Sequence, residues 1–228
     1  MAAPASQTLS RGIRILETLA DGPLSIDEVA TRLEVHRSIA YRLLRTLEDH
    51  RLVVRDASGR AALGPRMAAL AAGVAHDLQA EALPELTAVA NELGLTAFLA
   101  VLDGDEVITL TSVEPRHAGA NVAQRPGTRH PVTVGAPGKA ILAQLRDAEW
   151  PALGEALHAE VTAVHERGYA VSHDEVIPNL TSVAVPLPLR GKRPAALAVV
   201  HMASPIEDAE IAALLQRSAG VIRASLEG

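Results

Sequence analysis

The chain has 228 residues, enough for one or two domains, and with 48% hydrophobic, 21% charged and only 2% aromatic residues its core must be built mainly from Ala, Leu and Val. The absence of Cys excludes a disulfide framework, a thiolate metal site and a cysteine nucleophile, while the lack of a signal-peptide pattern or of about 18 uninterrupted apolar residues makes the cytoplasm the expected compartment. The net charge of −6 is unevenly spread: residues 1–64 hold nine Arg and eight Asp or Glu (+1), whereas 65–228 hold twelve basic and nineteen acidic residues (−7), which excludes a protein that is basic throughout.

Ser10 to Ala20 reads as a first helix, with Ile13, Leu16 and Leu19 as its apolar stripe and Asp21-Gly22-Pro23 as its stop. Ser25 is the N-cap of a second, and Glu28 completes a capping box ahead of Val29, Ala30 and Leu33. Glu34-Val35 then turns the chain into a third helix within EVHRSIAYRLLRTLEDH, Glu34 to His50. Here Ile39, Leu43, Leu44 and Leu47 fall on one face, and Arg37, Ser38, Tyr41, Arg42 and Arg45 on the other. Two helices separated by about three residues have helix-turn-helix spacing. Leu52 to Arg55 and Arg60 to Leu63, joined through Asp56-Ala57-Ser58-Gly59, add a hairpin, the wing. A helix that is apolar where it docks and rich in donors where it faces out suits a DNA major groove. Arg37, Ser38, Tyr41 and Arg42 are the candidate groove contacts; Arg45, with Arg55 and Arg60 beside the wing tip, are candidate phosphate contacts. Solvated surface charge is the competing reading for each.

Gly64-Pro65 opens a connecting helix, and a second helical stretch, Pro84 to Leu93, ends at Gly94. Thr96 to Leu102 and Glu106 to Val113 form a hairpin across Asp103-Gly104-Asp105, and Val122 to Val134 holds a Pro-Gly turn and an extended piece. GAPGKAILAQL starts a helix at Gly138 whose free N–H groups make an anion site. It is not a phosphate loop: only Ala136 and Pro137 separate Gly135 from Gly138, and Ala140 follows Lys139, so Lys139 is expected to be structural or solvated. Asp147 to Arg167 reads as helix with Gly168 as its stop. Tyr169 to Ser172, Thr181 to Leu189 and Ala195 to Met202 read as strands, and Asp208 to Leu226 as a closing helix. This irregular interleaving is α+β. The nine His show no metal spacing and no GxSxG elbow occurs, so no catalytic residue, metal or cofactor is expected.

LSIDEVATRLEVHRSIAYRLLRTLEDHRLVVRDASGRAALGPRM resembles the winged helix-turn-helix of the IclR-type bacterial transcriptional regulators. FLAVLDGDEVITL, GTRHPVTVGAPGKAILA, ERGYAVSHDE, NLTSVAVPL and AALAVVHMASPI are similar, in the family's order, to its effector-binding domain. The resemblance implies an α+β chain: a winged helix-turn-helix at 7–64, a linker helix at 65–80, and at 81–228 a GAF-like α/β effector-binding domain with a curved antiparallel sheet. It also implies a homodimer or dimer of dimers on double-stranded operator DNA, tuned by a small organic effector such as a carboxylic or aromatic metabolite, and no enzyme. Carried over residue by residue, the effector pocket is lined by Gly119, Val122, Ala136, Pro137, Ser172, Leu180, Ser182, Ala198 and Val200. Several positions depart from the family pattern. Ser172 stands where an acidic residue often follows GYAV, Ser182 replaces a frequent Cys, Ala198 and Val200 replace serines, and Thr133 replaces a His. The pocket is therefore expected to be more apolar and less charged than one built for a tiny oxo-acid. Three readings compete: plain sheet core at the lining positions, a pocket filled by the protein's own side chains, and an enzyme whose N-terminal domain serves only for dimerisation.

Overall fold

The computed structural model describes residues 6–116, 122–202 and 204–228, and it forms two compact units, Met1–Val74 and Ala75–Gly228. In the first unit, α1 (Gln7–Leu19) begins before the expected Ser10 because the Ser6 side chain accepts the Leu9 N–H at 3.4 Å. α2 (Ile26–Arg32) carries both halves of its capping box: Ser25 Oγ accepts from Glu28 N–H at 3.3 Å, and a Glu28 carboxylate oxygen accepts from Ser25 N–H at 2.7 Å. α3 (Arg37–Asp49) buries Ala40 and Leu44 against Ile15, Leu19, Val29 and Leu33. The wing pairs β1 (Val53–Arg55) with β2 (Ala61–Leu63), and Leu24 bridges to Ala61 through two hydrogen bonds of 2.9 and 2.7 Å. Arg60 lies outside β2, because Asp56 Oδ1 accepts from the N–H groups of Ser58 and Arg60 and closes the turn first.

The connecting helix expected over 65–80 is instead two helices, α4 (Arg66–Ala71) and α5 (His76–Leu93), with Ala75 left-handed between them at φ 46°. α5 also runs straight through Pro84, which had read as a helix start. Leu78, Ala82, Leu86, Val89 and Ala90 form one buried stripe on both sides of that proline, and this packing outweighs the single backbone bond that Pro84 removes.

The second unit is organised by a six-stranded antiparallel sheet in the order β5-β4-β3-β8-β7-β6. Its strands are β3 (Thr96–Asp103), β4 (Glu106–Val113), β5 (Arg129–Pro131), β6 (Ala170–His173), β7 (Thr181–Leu187) and β8 (Ala195–His201). Both faces are covered, so β8 is buried at every position. Ala195, Leu197 and Val199 pack with α5 and α8 (Asp208–Glu227), whereas Ala196, Ala198 and Val200 pack with α6 (Gly135–Leu142) and α7 (Glu155–Arg167). The small residues on the α6 face let that helix approach closely. A Cβ on Gly138 would lie 2.2 Å from the Val132 carbonyl oxygen, well inside contact distance. The helix expected over 147–167 is broken into a short 3-10 turn (Asp147–Glu149) and α7, because Pro151 and Gly154 interrupt it.

Candidate functional site

The first site is the outer face of α3. Arg37, Ser38, Tyr41, Arg42 and Arg45 are all exposed, Tyr41 by 53%, while Ala40 and Leu44 hold the helix to its core. Arg37 lies 3.3 Å from Asp27 and Arg45 3.5 Å from Asp49, exposed pairs that cost little to exchange for phosphate. The Arg42 guanidinium has no ion-pair partner among the described residues, and it borders two concave patches. One is formed with Ile26, His36, Arg37, Ser38 and Tyr41, the other with Thr8, Arg11, Ile39, Leu43 and Thr46.

His36 was not singled out from the sequence, yet it is the N-cap of α3. Its Nδ1 accepts from Ser38 N–H at 3.3 Å, and the Ser38 hydroxyl lies 2.9 Å from the same nitrogen. Ser38, a candidate reader, thus belongs to the cap as well. His36→Ala is expected to destabilise the N-terminal unit by about 1 kcal/mol and His36→Asn to keep most of that, as thermal unfolding would reveal.

Arg55 and Arg60, expected to reach out from the wing tip, are turned inward. The Arg55 guanidinium pairs with Glu48 of α3 and donates to Gly59 O at 3.1 Å, with only 27% of its side chain exposed. Arg60 donates Nε and Nη2 to Pro23 O at 3.1 and 3.0 Å and Nη2 to Glu28 at 2.9 Å. Together they lock the wing against α3 and against the start of α2. The Glu28 carboxylate is held down to a pKa of about 2, first by hydrogen bonds from Ser25 and then by Arg60. Its ordinary value is 4.5, so it stabilises the fold above that pH and the stabilisation is lost as pH falls toward 2. Glu28→Gln should flatten the acid side of the first unit's stability profile across that window in melts recorded at stepped pH.

The second site is a cavity on the α6 face of the sheet, with about 410 Å³ of empty space including its mouth. Its floor is a row of lateral neighbours: Ser172 of β6 opposite Ser182 of β7, and Ser182 opposite Val200 of β8. Five of the carried-over residues line it: Pro137, Ser172, Leu180, Ser182 and Val200. Ala136 and Ala198 are fully buried in the packing of α6 on the sheet, and Val122 packs beside them; none of the three lines the cavity. Gly119 lies outside the described residues. Phe98, Gln124, His130, Gly135, Val176, Ile177 and Thr181 complete the wall. The consecutive apolar pair Val176-Ile177, half-exposed in a turn-rich segment, was the sequence signal that passed unused.

The anion site expected at the start of the GKA helix is taken by the protein itself. α6 begins at Gly135, whose N–H donates to Glu175 at 2.9 Å; Ala136 N–H donates to Ser172 Oγ at 3.0 Å, and Pro137 has no donor. Lys139 is structural, as expected: its side chain is only 4% exposed and its ammonium pairs with both Glu160 and Glu175. Among the described residues no group of three His, Asp or Glu is placed to hold a metal, and no helix is long and apolar enough to cross a membrane.

Comparison with known proteins gives the two sites a context. Residues 8–57 match the IclR helix-turn-helix domain, and residues 71–223 match the C-terminal domain of bacterial IclR transcriptional regulators. The chain is 32% identical over 213 residues to the probable transcriptional regulator SauR of Cupriavidus necator, covering 84% of each chain. The structure of an IclR transcriptional regulator from Alicyclobacillus acidocaldarius superposes with a TM-score of 0.85 at 32% identity, covering 97% of this chain and 99% of that one. An IclR homologue of Microbacterium hydrocarbonoxydans in complex with 4-hydroxybenzoate superposes with a TM-score of 0.82 at 26% identity, with the same coverage.

Proposed function

The chain belongs to the IclR family of bacterial transcriptional regulators, and on that premise we propose that α3 reads operator DNA while a small carboxylic or aromatic metabolite in the C-terminal cavity tunes the affinity. It is a DNA-binding regulator and not an enzyme; relatives named as transcriptional regulators set aside the alternative of a dimerised catalyst. Arg37, Tyr41 and Arg42 meet base edges, with Ser38 shared between groove and cap. Arg45 meets phosphate, and Arg55 and Arg60 place the wing and touch the DNA backbone only with what their internal pairs leave exposed. The protein acts in the cytoplasm as a homodimer or dimer of dimers, whose heads must stand about 34 Å apart, or a multiple of that, to enter successive major grooves.

The observation that carries this reading is the exposed Tyr41 and Arg42 on a helix whose opposite face is buried, in a first unit that is otherwise near neutral. A similar chain binds 4-hydroxybenzoate, which supports a ring-sized occupant for the cavity. The test is an electrophoretic shift of the promoter region beside the protein's own gene, with and without a metabolite panel. A retarded band whose midpoint moves with one metabolite is expected. No retardation at micromolar protein would overturn the DNA reading, and a midpoint indifferent to every metabolite would overturn the effector reading.

A further inference from the structure

We propose that the cavity takes an uncharged ligand that donates hydrogen bonds, and that Glu175 is the residue that turns carboxylates away. This narrows the reading of the cavity as the effector site and rests on it. An anion buried in a pocket is best held by a cation or by a cluster of backbone N–H donors, and the described wall supplies no such cation. No Arg or Lys is among its described lining residues, and Lys139 is committed to Glu160 and Glu175. The backbone donors at the start of α6, the natural place for an anion, are spent on Glu175 and Ser172. Glu175 stands behind the wall, where its carboxylate holds the Gly135 N–H at 2.9 Å, so a ligand carboxylate brought to Gly135 finds that donor taken by a like charge.

Glu175 is held in place by the loop that carries it. Asp174 N–H donates to Leu180 O at 3.0 Å and Asp174 Oδ1 accepts from Asn179 N–H, which pins both ends of the segment. Val176, the next residue, lies so close to Gly135 that a Cβ there would meet its Cγ2 at 2.8 Å.

The polar atoms left over on the wall point to the same ligand class. Gln124 donates one Nε2 hydrogen to Thr109 at 2.8 Å, which leaves its second N–H to donate and Oε1 to accept. His130 Nδ1 is 3.0 Å from Pro131 O, a group that only accepts, so the neutral ring keeps Nε2 as an acceptor. Ser182 donates its hydroxyl to Val199 O at 2.8 Å and retains only lone pairs. A carboxylate can take the second Gln124 N–H and the Ser172 hydroxyl hydrogen but leaves Gln124 Oε1, His130 Nε2 and the Ser182 lone pairs unmatched, whereas a phenol, alcohol or primary amide supplies donors for these and can still accept.

The test is calorimetric titration of the full chain with isosteric pairs: benzoate against benzamide, 4-hydroxybenzoate against 4-hydroxybenzamide, and phenylacetate against phenylacetamide. In the wild-type protein the amide of a pair should bind about tenfold or more tightly than its acid. Glu175→Gln should narrow that ratio by strengthening the acid, leaving the amide within about twofold. Should that variant fail to fold, the wild-type ratio alone decides. Leu180→Trp, which fills the cavity, should abolish binding of both members. Acids that bind as tightly as their amides, with Leu180→Trp blocking both, would overturn the proposal and leave the effector site standing. Binding that survives Leu180→Trp, or no binding by any pair, would overturn the effector site and the proposal together.

Discussion

Arg42→Ala is expected to lower operator affinity by about tenfold to a hundredfold, the effect of losing one bidentate base contact of about 1–3 kcal/mol, without lowering the melting temperature. Arg42 is chosen because the fold does not use its guanidinium: it has no ion pair among the described residues, and its neighbours Leu43 and Leu44 do the docking. The loss should be specific to operator DNA, with affinity for scrambled DNA nearly unchanged, because a base contact carries sequence information and a phosphate contact does not. Arg45→Ala provides the contrast. Its loss should appear equally on both DNAs and should reduce the slope of log affinity against log salt by about 0.9. Fluorescence anisotropy on the two sequences over a salt series reads both effects. Wild-type discrimination in the Arg42 variant would remove Arg42 from the groove.

Local physics explains why the first unit was legible and the cavity was not. The Ser25 and Glu28 box, the buried and exposed faces of α3 and the hairpin across Asp56 to Gly59 depend on residues within four or five positions of one another, and each appears in the structure. What failed depends on pairs far apart in sequence. Nothing near Arg60 announces that Pro23 and Glu28 will take its guanidinium, and nothing near Gly135 announces Glu175. The stop inside the connecting helix at Ala75 likewise has no local breaker beyond Gly73, and Pro84 misled because packing overrode it. Of the cavity, the row Ser172, Ser182 and Val200 came through family resemblance, since strand register is not written in any one strand. Phe98, Gln124 and His130 join it only through the folded sheet and the segment leading into β5. Ala136 and Ala198 were misplaced for the opposite reason: in a chain so rich in Ala, these side chains serve the close approach of α6 to the sheet and are sealed beneath it.

Lys139→Met should destabilise the second unit by about 3 kcal/mol, the lower end of what breaking a buried ion pair costs. The lower end applies because Glu160 is 48% exposed and Glu175 31%, so water recovers part of the loss for each carboxylate. The ammonium between them is not so placed: at 4% exposure it joins α6 to α7 and to the segment that carries Glu175. The single Trp of the chain, Trp150, reports on this region directly, because its Nε1 donates to Leu142 O at 2.9 Å at the end of α6. Its fluorescence during heating should show a midpoint lowered by roughly 6–12 °C, from about 2–4 °C per kcal/mol for a unit of this size. Glu160→Gln removes the more exposed partner and should cost less than about 1 kcal/mol. Adding Glu175→Gln to Lys139→Met should restore part of the stability, since it removes the negative charge that the missing ammonium strands beside Gly135 while keeping an oxygen for that N–H. A Lys139→Met midpoint within 2 °C of wild type would mean that the two carboxylates need no cation, and that backbone bonds alone set the position of the Glu175 segment.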